Sequence, residues 1–430
     1  MHKSEESVGL SVSLPEGASL ENLRKRAKTL LKERRAEVAG LPAGSMPRKV
    51  TLSGVQHELA RSYGFASWPR LVAHFREETS GSRVGRVRRE GGRVWIDGVS
   101  ALKWGQNPDP TYIGAMDAAF CGSETPLDVT TMMGDSGLAF RLRWARGVSD
   151  ERWCGSSPVG EWPLERETLG RATGKRFEWS FPDAEADKPV ERIVSEIEAG
   201  RPILAYGKKL DVSVIYGYEA GGARVLLSDY WADREPFVME TSAICGVTAW
   251  LVEEVEPLAR SEAFAAGLRL AVRRWGEGTE DEPYEPTTRF YYGPLAYEEW
   301  VADLRRADTL TEEQRENLYF LNGWNYSSLH VTRRDHAGAY LRANAECLAE
   351  RVRRQVDAAA SVYEEAGRYL SAWDPKDDRF GFAKGKPASG WTAEVRASEI
   401  EWLEGLAELD RRAMGHMRRA VSALDGDGSA

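Results

Sequence analysis

The segment "LDVSVIYGYEAGGARVLLSDYW", residues Leu210 to Trp231, gives the clearest fold signal in the chain. Apolar and polar residues alternate on both sides of a glycine pair, Gly221 and Gly222, which predicts two antiparallel strands joined by a tight turn. The stretches "RPILAYG" before it and "AWLVEEVE" after it predict further strands. "VERIVSEIEAG" has the period of an amphipathic helix that ends at Gly200. A helix packed on consecutive antiparallel strands predicts an α+β fold.

The same patterns divide the 430 residues into four parts. Residues 1–80 have helical periodicity and are predicted to form a small helical module, and residues 81–93 form a linker rich in Gly, Ser and Arg. Residues 94–258 are predicted to form the α+β domain, in which "GLAFRLRWA" (residues 137–145) is interpreted as a strand. Residues 259–430 have long helical periodicities that are typical of a helical bundle.

Composition excludes several classes of function. A formal net charge of −9 and a pI near 5.5 argue against a nucleic-acid partner. No apolar stretch reaches the roughly 18 residues of a membrane span, and "MHKSEESVGL" has no apolar signal region. The four cysteines are widely spaced without a CxxC motif, which predicts neither a zinc site nor a disulfide framework. We therefore expect a cytoplasmic protein with no membrane contact, no cofactor and no metal.

Three motifs of the middle segment carry a resemblance to a known family. "PTYIGAMDAAF", "MMGDSGLAFRLRW" and "IEAGRPILAYG…DVSVIYGYEAGGARVLLSDYW" resemble the N-terminal domain of the butirosin-biosynthesis acyltransferase family. That domain is similar to the papain-like cysteine peptidases that cleave double-glycine leader peptides. The resemblance covers roughly residues 94–375 and implies a papain-like fold. The first 80 residues resemble a small helical leader module of bacterial proteins, which implies a protein partner for that module.

The resemblance also implies an active site, and the sequence departs from it. A thiolate nucleophile belongs at the start of the first helix, an imidazole at the head of a facing strand and an orienting carboxylate on the next strand. Here Thr111 and Tyr112 occupy the helix start, and Asp211 stands where the family has its histidine. Only Asp229 matches the orienting position. Residues 94–258 contain no histidine, so this domain has no thiol–imidazole pair of its own.

The leading hypothesis is therefore a catalytically degenerate papain-like protein that binds a small amine-containing or peptidic ligand in the former active-site cleft. Asp211 and Asp229 on neighbouring strands suit an amine, although a structural salt bridge, for example with Arg141, and acid–base catalysis are alternatives. The residues predicted to line the ligand site are Thr111, Tyr112, Trp153, Trp162, Asp211, Tyr218 and Asp229.

Two alternative hypotheses remain open. An active thiol acyltransferase or amide hydrolase would use Cys154, in the loop "RWCGSSPVGEWP", or Cys121, together with a histidine from the bundle. His330 and His336 in "YSSLHVTRRDH" are the candidates for that imidazole. The other alternative is a protein-interaction scaffold that docks partners on its helical segments. Cys245 and Cys347 are interpreted as core residues.

Overall fold

The computed structural model describes residues 20–39, 55–56, 59–60, 62–63, 71, 86–104, 107–108, 110–123, 127–145, 163–179, 190–209, 211–232, 236–281, 289–372 and 391–426. The chain forms two compact units, Met1–Arg83 and Val84–Ala430. In the first unit, helix α1 (Leu20–Ala39) buries Leu23 and Ala27. Arg26 on its outer face donates a 2.8 Å hydrogen bond to the hydroxyl of Tyr63.

The second unit contains an eight-stranded antiparallel sheet and a three-stranded antiparallel sheet. The larger sheet is built from β1 (Val87–Glu90), β2 (Arg93–Ile96), β4 (Lys175–Trp179), β5 (Ile203–Tyr206), β6 (Val212–Glu219), β7 (Arg224–Ser228), β8 (Phe237–Glu240) and β9 (Gly246–Glu254). Strand β6 is central: one edge pairs with β7, and the other edge is shared between β5 and β2. The predicted hairpin over residues 211–231 is therefore confirmed as β6 and β7.

The helices of the second unit surround this sheet. They are α2 (Thr111–Phe120), α3 (Val129–Asp135), α4 (Pro163–Thr173), α5 (Val190–Glu198), α6 (Arg260–Glu277), α7 (Gly293–Arg306), α8 (Glu312–Leu329), α9 (Gly338–Asn344), α10 (Glu350–Ser371) and α11 (Ala393–Gly426). The unit is thus a mixture of helices and antiparallel sheet, as the α+β prediction requires.

Alternating side chains of the central strands reach two separate hydrophobic clusters. On β5, Ile203 and Ala205 pack with Ile193 and Ile197 of the amphipathic helix α5. Leu204 and its neighbours on the opposite face join the main core. This period of two is the reason that the sequence pattern predicted both the strands and their covering helix.

Helix α2 lies inside the main core, and all ten of its residues are buried. A helix that is apolar on every side has no face to offer to water, so it is stable only when it is covered all round. The core around it includes residues of the sheet, such as Leu251, and of the later helices, such as Trp300 and Leu403. The sheet and the helices that follow residue 258 therefore share one hydrophobic core.

The segment over residues 137–145 differs from its prediction as a single strand. Gly137 has a φ of 74°, a conformation that suits glycine, and a short 3₁₀ helix (Leu138–Phe140) follows it. Within the segment only Arg143–Ala145 forms a strand, β3, which pairs with β11 (Arg289–Tyr292) of the small sheet; β10 (Thr279–Asp281) completes that sheet. All residues of the segment are buried, including Arg141 and Arg143, so its alternation of apolar and basic residues does not mark an inner and an outer strand face.

A π-helix over His330–Ala337 connects α8 to α9 without a break. It directs the side chain of Arg333 into the core, where this side chain is fully buried. The guanidinium donates to the backbone oxygens of Ala139, Phe140 and Arg141, at 2.9 to 3.1 Å. The π-helix therefore fixes the 3₁₀ segment to the later helices through one arginine.

Candidate functional site

The candidate site lies at the end of the large sheet where β5 and β7 end and β6 and β9 begin. Asp211 directly precedes β6 and is half-buried. Its Oδ2 accepts a 2.7 Å hydrogen bond from the indole N–H of Trp231. Burial raises the pKa of the Asp211 carboxyl, with a further rise from the charge of Asp229, while the Trp231 bond and Lys209 oppose the shift.

Asp229 follows β7 and is almost fully buried beside Asp211. Its Oδ2 accepts hydrogen bonds from the Ser213 hydroxyl at 2.9 Å and the backbone N–H of Lys208 at 3.1 Å, and its Oδ1 accepts from the Trp231 N–H at 2.7 Å. All these donors are neutral. Within the described part of the chain, no cationic side chain forms an ion pair with either aspartate. The predicted alternative of a salt bridge to Arg141 is wrong, because Arg141 pairs with buried Glu165 at 2.9 Å.

Trp231, whose indole binds Asp211, belongs to a group of packed aromatic rings. We call the set Trp104, Tyr230, Trp231 and Trp324 the aromatic cluster. The ring of Trp104 lies 4.5 Å from that of Tyr230, 5.8 Å from that of Trp231 and 5.5 Å from that of Trp324. The three indoles are half-buried, so they combine apolar packing with access to solvent. The indole nitrogen of Trp104 is buried and has no hydrogen-bond partner among the residues that the structure describes.

The chain positions the aromatic cluster through close contacts at α2 and α8. The hydroxyl of Tyr230 donates to the backbone oxygen of Pro108. It also lies so close to Gly114 that a Cβ at that position would clash with it. Trp324 comes from α8, more than two hundred residues after Trp104. The later helices thus contribute one wall of the site.

An ammonium group already lies against this cluster. The Nζ atom of Lys209 is 3.8 Å from the centre of the Trp231 ring, the geometry of a cation–π contact. The same lysine lowers the pKa of Asp211 through its charge. Trp231 and Asp211 therefore both interact with the ammonium group of Lys209.

The start of helix α2 lies against the head of strand β6. The Thr111 hydroxyl oxygen accepts a 3.1 Å hydrogen bond from the N–H of Val212, the residue after Asp211. Thr111 and Tyr112 are both buried, and the Tyr112 ring packs edge-on against Trp179 at 5.5 Å. Thr111 therefore helps to fix the strand that presents Asp211.

Tyr218, also predicted to line the ligand site, does not join this group. Tyr218 lies near the opposite end of β6, roughly 23 Å along the strand from Asp211 at about 3.3 Å per residue. Its hydroxyl donates to Glu198 Oε1 at 2.6 Å, so Tyr218 lies outside the candidate site. Trp153, Cys154 and Trp162 fall outside the described residues.

The remaining thiol–imidazole candidates have separate partners. The Cys121 thiol lies near the backbone oxygens of Gly98 and Ala118, at 3.2 and 3.5 Å. His336 Nδ1 is 2.9 Å from the Thr130 hydroxyl, and burial lowers the pKa of this histidine. His330 is buried, with Nδ1 3.2 Å from an Arg334 nitrogen. The contacts described for Cys121 and these histidines thus hold them in different environments.

Sequence reasoning missed a cysteine at the candidate site. Cys245 was interpreted as a core residue, but it is exposed, and its N–H donates to the Gly207 oxygen at 3.0 Å. Tyr206 pairs with both Val212 and Gly246, so Asp211 and Cys245 precede the strands on either side of β5. Two strand spacings separate these backbones by about 10 Å. The position of Cys245 just before a strand was the signal that sequence reasoning could have used, because residues at such positions lie at the end of a sheet and not in its interior.

Neither a metal site nor a membrane-spanning helix is found among the described residues. Among the described residues, no group of three or more His, Cys, Asp or Glu side chains is arranged to hold a metal ion. Likewise, no described helix combines the length and the apolar character that are required to cross a bilayer. Comparison of the chain with protein-family models, with curated proteins and with solved structures found no match.

Proposed function

We propose that this chain binds a small amine-containing or peptidic ligand at Asp211. One observation carries the proposal: the Asp211–Trp231 pair already interacts with the primary ammonium of Lys209. A ligand ammonium is recognised in the same two ways, by the charge of the carboxylate and by the face of the indole.

The charges of the site favour a cationic ligand over an anionic or neutral one. Asp211 and Asp229 lie close enough for the charge of one to raise the pKa of the other, and the described residues give neither an ion pair. A desolvated carboxylate pair without a direct ion pair is costly, and a ligand ammonium in contact offsets this cost beyond what the nearby charge of Lys209 provides. The half-buried indoles provide apolar surface for the aliphatic part of the ligand.

We further propose that the α+β unit is papain-like and has lost its thiol–imidazole chemistry. Three positions support this: Thr111 at the helix start contacts the head of β6, Asp211 stands at that strand head, and Asp229 follows the next strand. The family arranges its nucleophile, base and orienting carboxylate in this order. With a threonine and an aspartate at the first two positions, binding remains and covalent catalysis does not.

The test is calorimetric titration of the full chain with N-acetyl-lysine methylamide. The norleucine analogue, which has the same chain length without the ammonium, serves as the ligand control. Asp211→Asn keeps an acceptor for the Trp231 indole and removes the charge, so affinity for the lysine compound should fall at least about tenfold.

Asp357→Asn is the matched protein control, because Asp357 is an exposed aspartate that pairs with Arg342 on the helical surface. Its affinity should equal that of the unmodified chain. Equal affinity of the Asp211→Asn variant and the unmodified chain would refute the proposal, as would equal binding of the lysine and norleucine compounds.

One observation favours a second candidate function, thiol-dependent acyl transfer or amide hydrolysis. Cys245 is exposed at the same sheet end as Asp211. Iodoacetamide labelling across pH, mapped by mass spectrometry, tests it: rapid labelling of Cys245 well below the ordinary thiol pKa of about 8.5 would indicate an activated thiolate. Labelling that follows an ordinary thiol leaves amine binding as the function.

A further inference from the structure

A second concave surface lies away from the candidate site, between α4 and α6. This groove has a volume of about 710 Å³, within the size range of small-molecule sites. The end of the groove is formed by Leu348, Ala349 and Leu424. The Leu258 N–H donates to the Arg171 oxygen at 3.2 Å, which fixes the segment before α6 to the last turn of α4.

The floor of the groove is aliphatic. Leu164, Leu258, Leu348 and Leu424 are each half-buried and line it, and so does Ala266 of α6. Four partly exposed leucines thus lie together on one concave surface. This lining suits an aliphatic chain.

The rim of the groove is basic. Arg269 and Arg273 project from one face of α6 at i, i+4 spacing, and Arg171 lines the opposite wall from α4. Among the described residues that line the groove, Glu262 is the only acid. Three cationic side chains against one anionic side chain contrast with the net charge of −9 for the whole chain.

The arginines are accessible to a ligand. Arg171 forms no ion pair with a described residue, and it is exposed. Arg269 pairs with Asp425 at 2.8 Å and Arg273 pairs with Glu277, but the arginine side chains are 48% and 61% exposed. Exposed pairs of this kind are weak, so a ligand anion competes with them readily.

We propose that this groove binds a small amphipathic anion, an aliphatic chain of medium length that ends in a carboxylate. The leucines hold the chain, and the guanidinium groups of Arg171 and Arg273 hold the carboxylate from the two walls. The site is separate from the amine site and does not depend on it.

The test is calorimetric titration of the full chain with decanoate below the concentration at which it forms micelles. Decyltrimethylammonium, with the same chain length and the opposite charge, should not bind. The double variant Arg171→Gln/Arg273→Gln should bind decanoate at least about tenfold more weakly, the loss expected for a charge-assisted contact. Ala266→Trp fills the groove without changing its charge and should abolish binding.

The control is Arg353→Gln/Arg411→Gln, which removes two exposed arginines that pair with acids three residues away on other helices. It should bind decanoate as the unmodified chain does. Equal binding of decanoate and decyltrimethylammonium would overturn the proposal, as would unchanged affinity in the double variant. Because Arg171 and Arg273 are exposed, the double variant keeps the test decisive even where the tryptophan substitution disturbs folding.

Discussion

Two aspartates of this protein occupy opposite electrostatic situations. Asp410 on α11 is fully buried and accepts hydrogen bonds from the guanidinium of Arg333 at 2.9 to 3.1 Å and from the Tyr297 hydroxyl at 2.9 Å. Asp211 is half-buried, accepts from a neutral indole and has no ion pair among the described residues. The first carboxylate has a buried counterion in direct contact, whereas the second has only the nearby charge of Lys209 and is partly exposed to solvent.

This difference indicates that Asp410 stabilises the fold, and it supports the binding role proposed for Asp211. Burial disfavours the charged form of Arg333, but Asp410 keeps the pKa of this guanidinium above its ordinary value. The arginine also holds three backbone oxygens of the 3₁₀ segment, so its charge is fully used inside the fold. At Asp211 the Trp231 hydrogen bond and the charge of Lys209 oppose the rise in pKa but do not cancel it. Such an unmatched group is typical of sites that bind or react.

The largest expected effect is on stability and comes from breaking the buried ion pair between Arg333 and Asp410. Asp410→Asn leaves the charge of Arg333 buried without its counterion, and this should lower the free energy of unfolding by about 3–5 kcal/mol. Urea denaturation at pH 7 measures the change. Asp357→Asn, at an exposed pair, should alter stability by less than about 1 kcal/mol. Similar losses in both variants would show that the buried pair has no special weight.

Glu399 in the helical part provides a second contrast with Asp410, because this buried acid forms no ion pair with a described residue. Glu399 on α11 accepts hydrogen bonds at Oε2 from Trp391 at 2.9 Å and Asn322 at 3.2 Å. Its other oxygen has no partner among the described residues. Burial raises the pKa of Glu399 to about 8, from an ordinary value of 4.5.

This shift predicts a pH dependence of stability. Between pH 4.5 and 8 the unfolded chain has lost this proton while the folded chain retains it, so stability falls as pH rises, by roughly 1.4 kcal/mol per pH unit. Glu399→Gln removes this contribution and keeps the acceptor for Trp391. The stability of the variant relative to the unmodified chain should therefore increase from pH 5 to pH 8. A constant difference across urea denaturations at four pH values would contradict the assignment.

Local periodicity predicted the parts of the fold that depend on neighbouring residues. The hairpin of β6 and β7 and the amphipathic helix α5 follow from periods of two and 3.6, and the position of Asp211 at a strand head followed from the hairpin. Its proximity to Thr111 and Asp229 was predicted from the resemblance. The π-helix was not predicted, because the contacts of Arg333 with residues 139–141 join segments almost two hundred residues apart.

The candidate site was only partly predictable for the same reason. Trp104 and Trp324 were not singled out, since they approach each other only in the folded chain. Residues 137–145 were interpreted as a strand, but the segment begins with a 3₁₀ helix, and Arg141 and Arg143 are buried like their apolar neighbours, which the sequence pattern does not reveal. Cys245 was placed in the core on residue type alone, and the strand boundary beside it leaves it exposed.

The smallest predicted effect is on ligand affinity and comes from changing Lys209, the lysine beside Asp211. Lys209 occupies the face of Trp231 in the ligand-free chain, so a ligand ammonium has to displace it. Lys209→Met keeps a long unbranched side chain and removes the charge; affinity for N-acetyl-lysine methylamide should rise about two- to fivefold, the equivalent of an exposed cation–π contact of about 0.5–1 kcal/mol. Lys209→Arg retains a cation on the ring and should leave affinity unchanged. Weaker binding in Lys209→Met would mean that Lys209 assists the ligand, and the amine subsite would then have to lie on another face of the aromatic cluster.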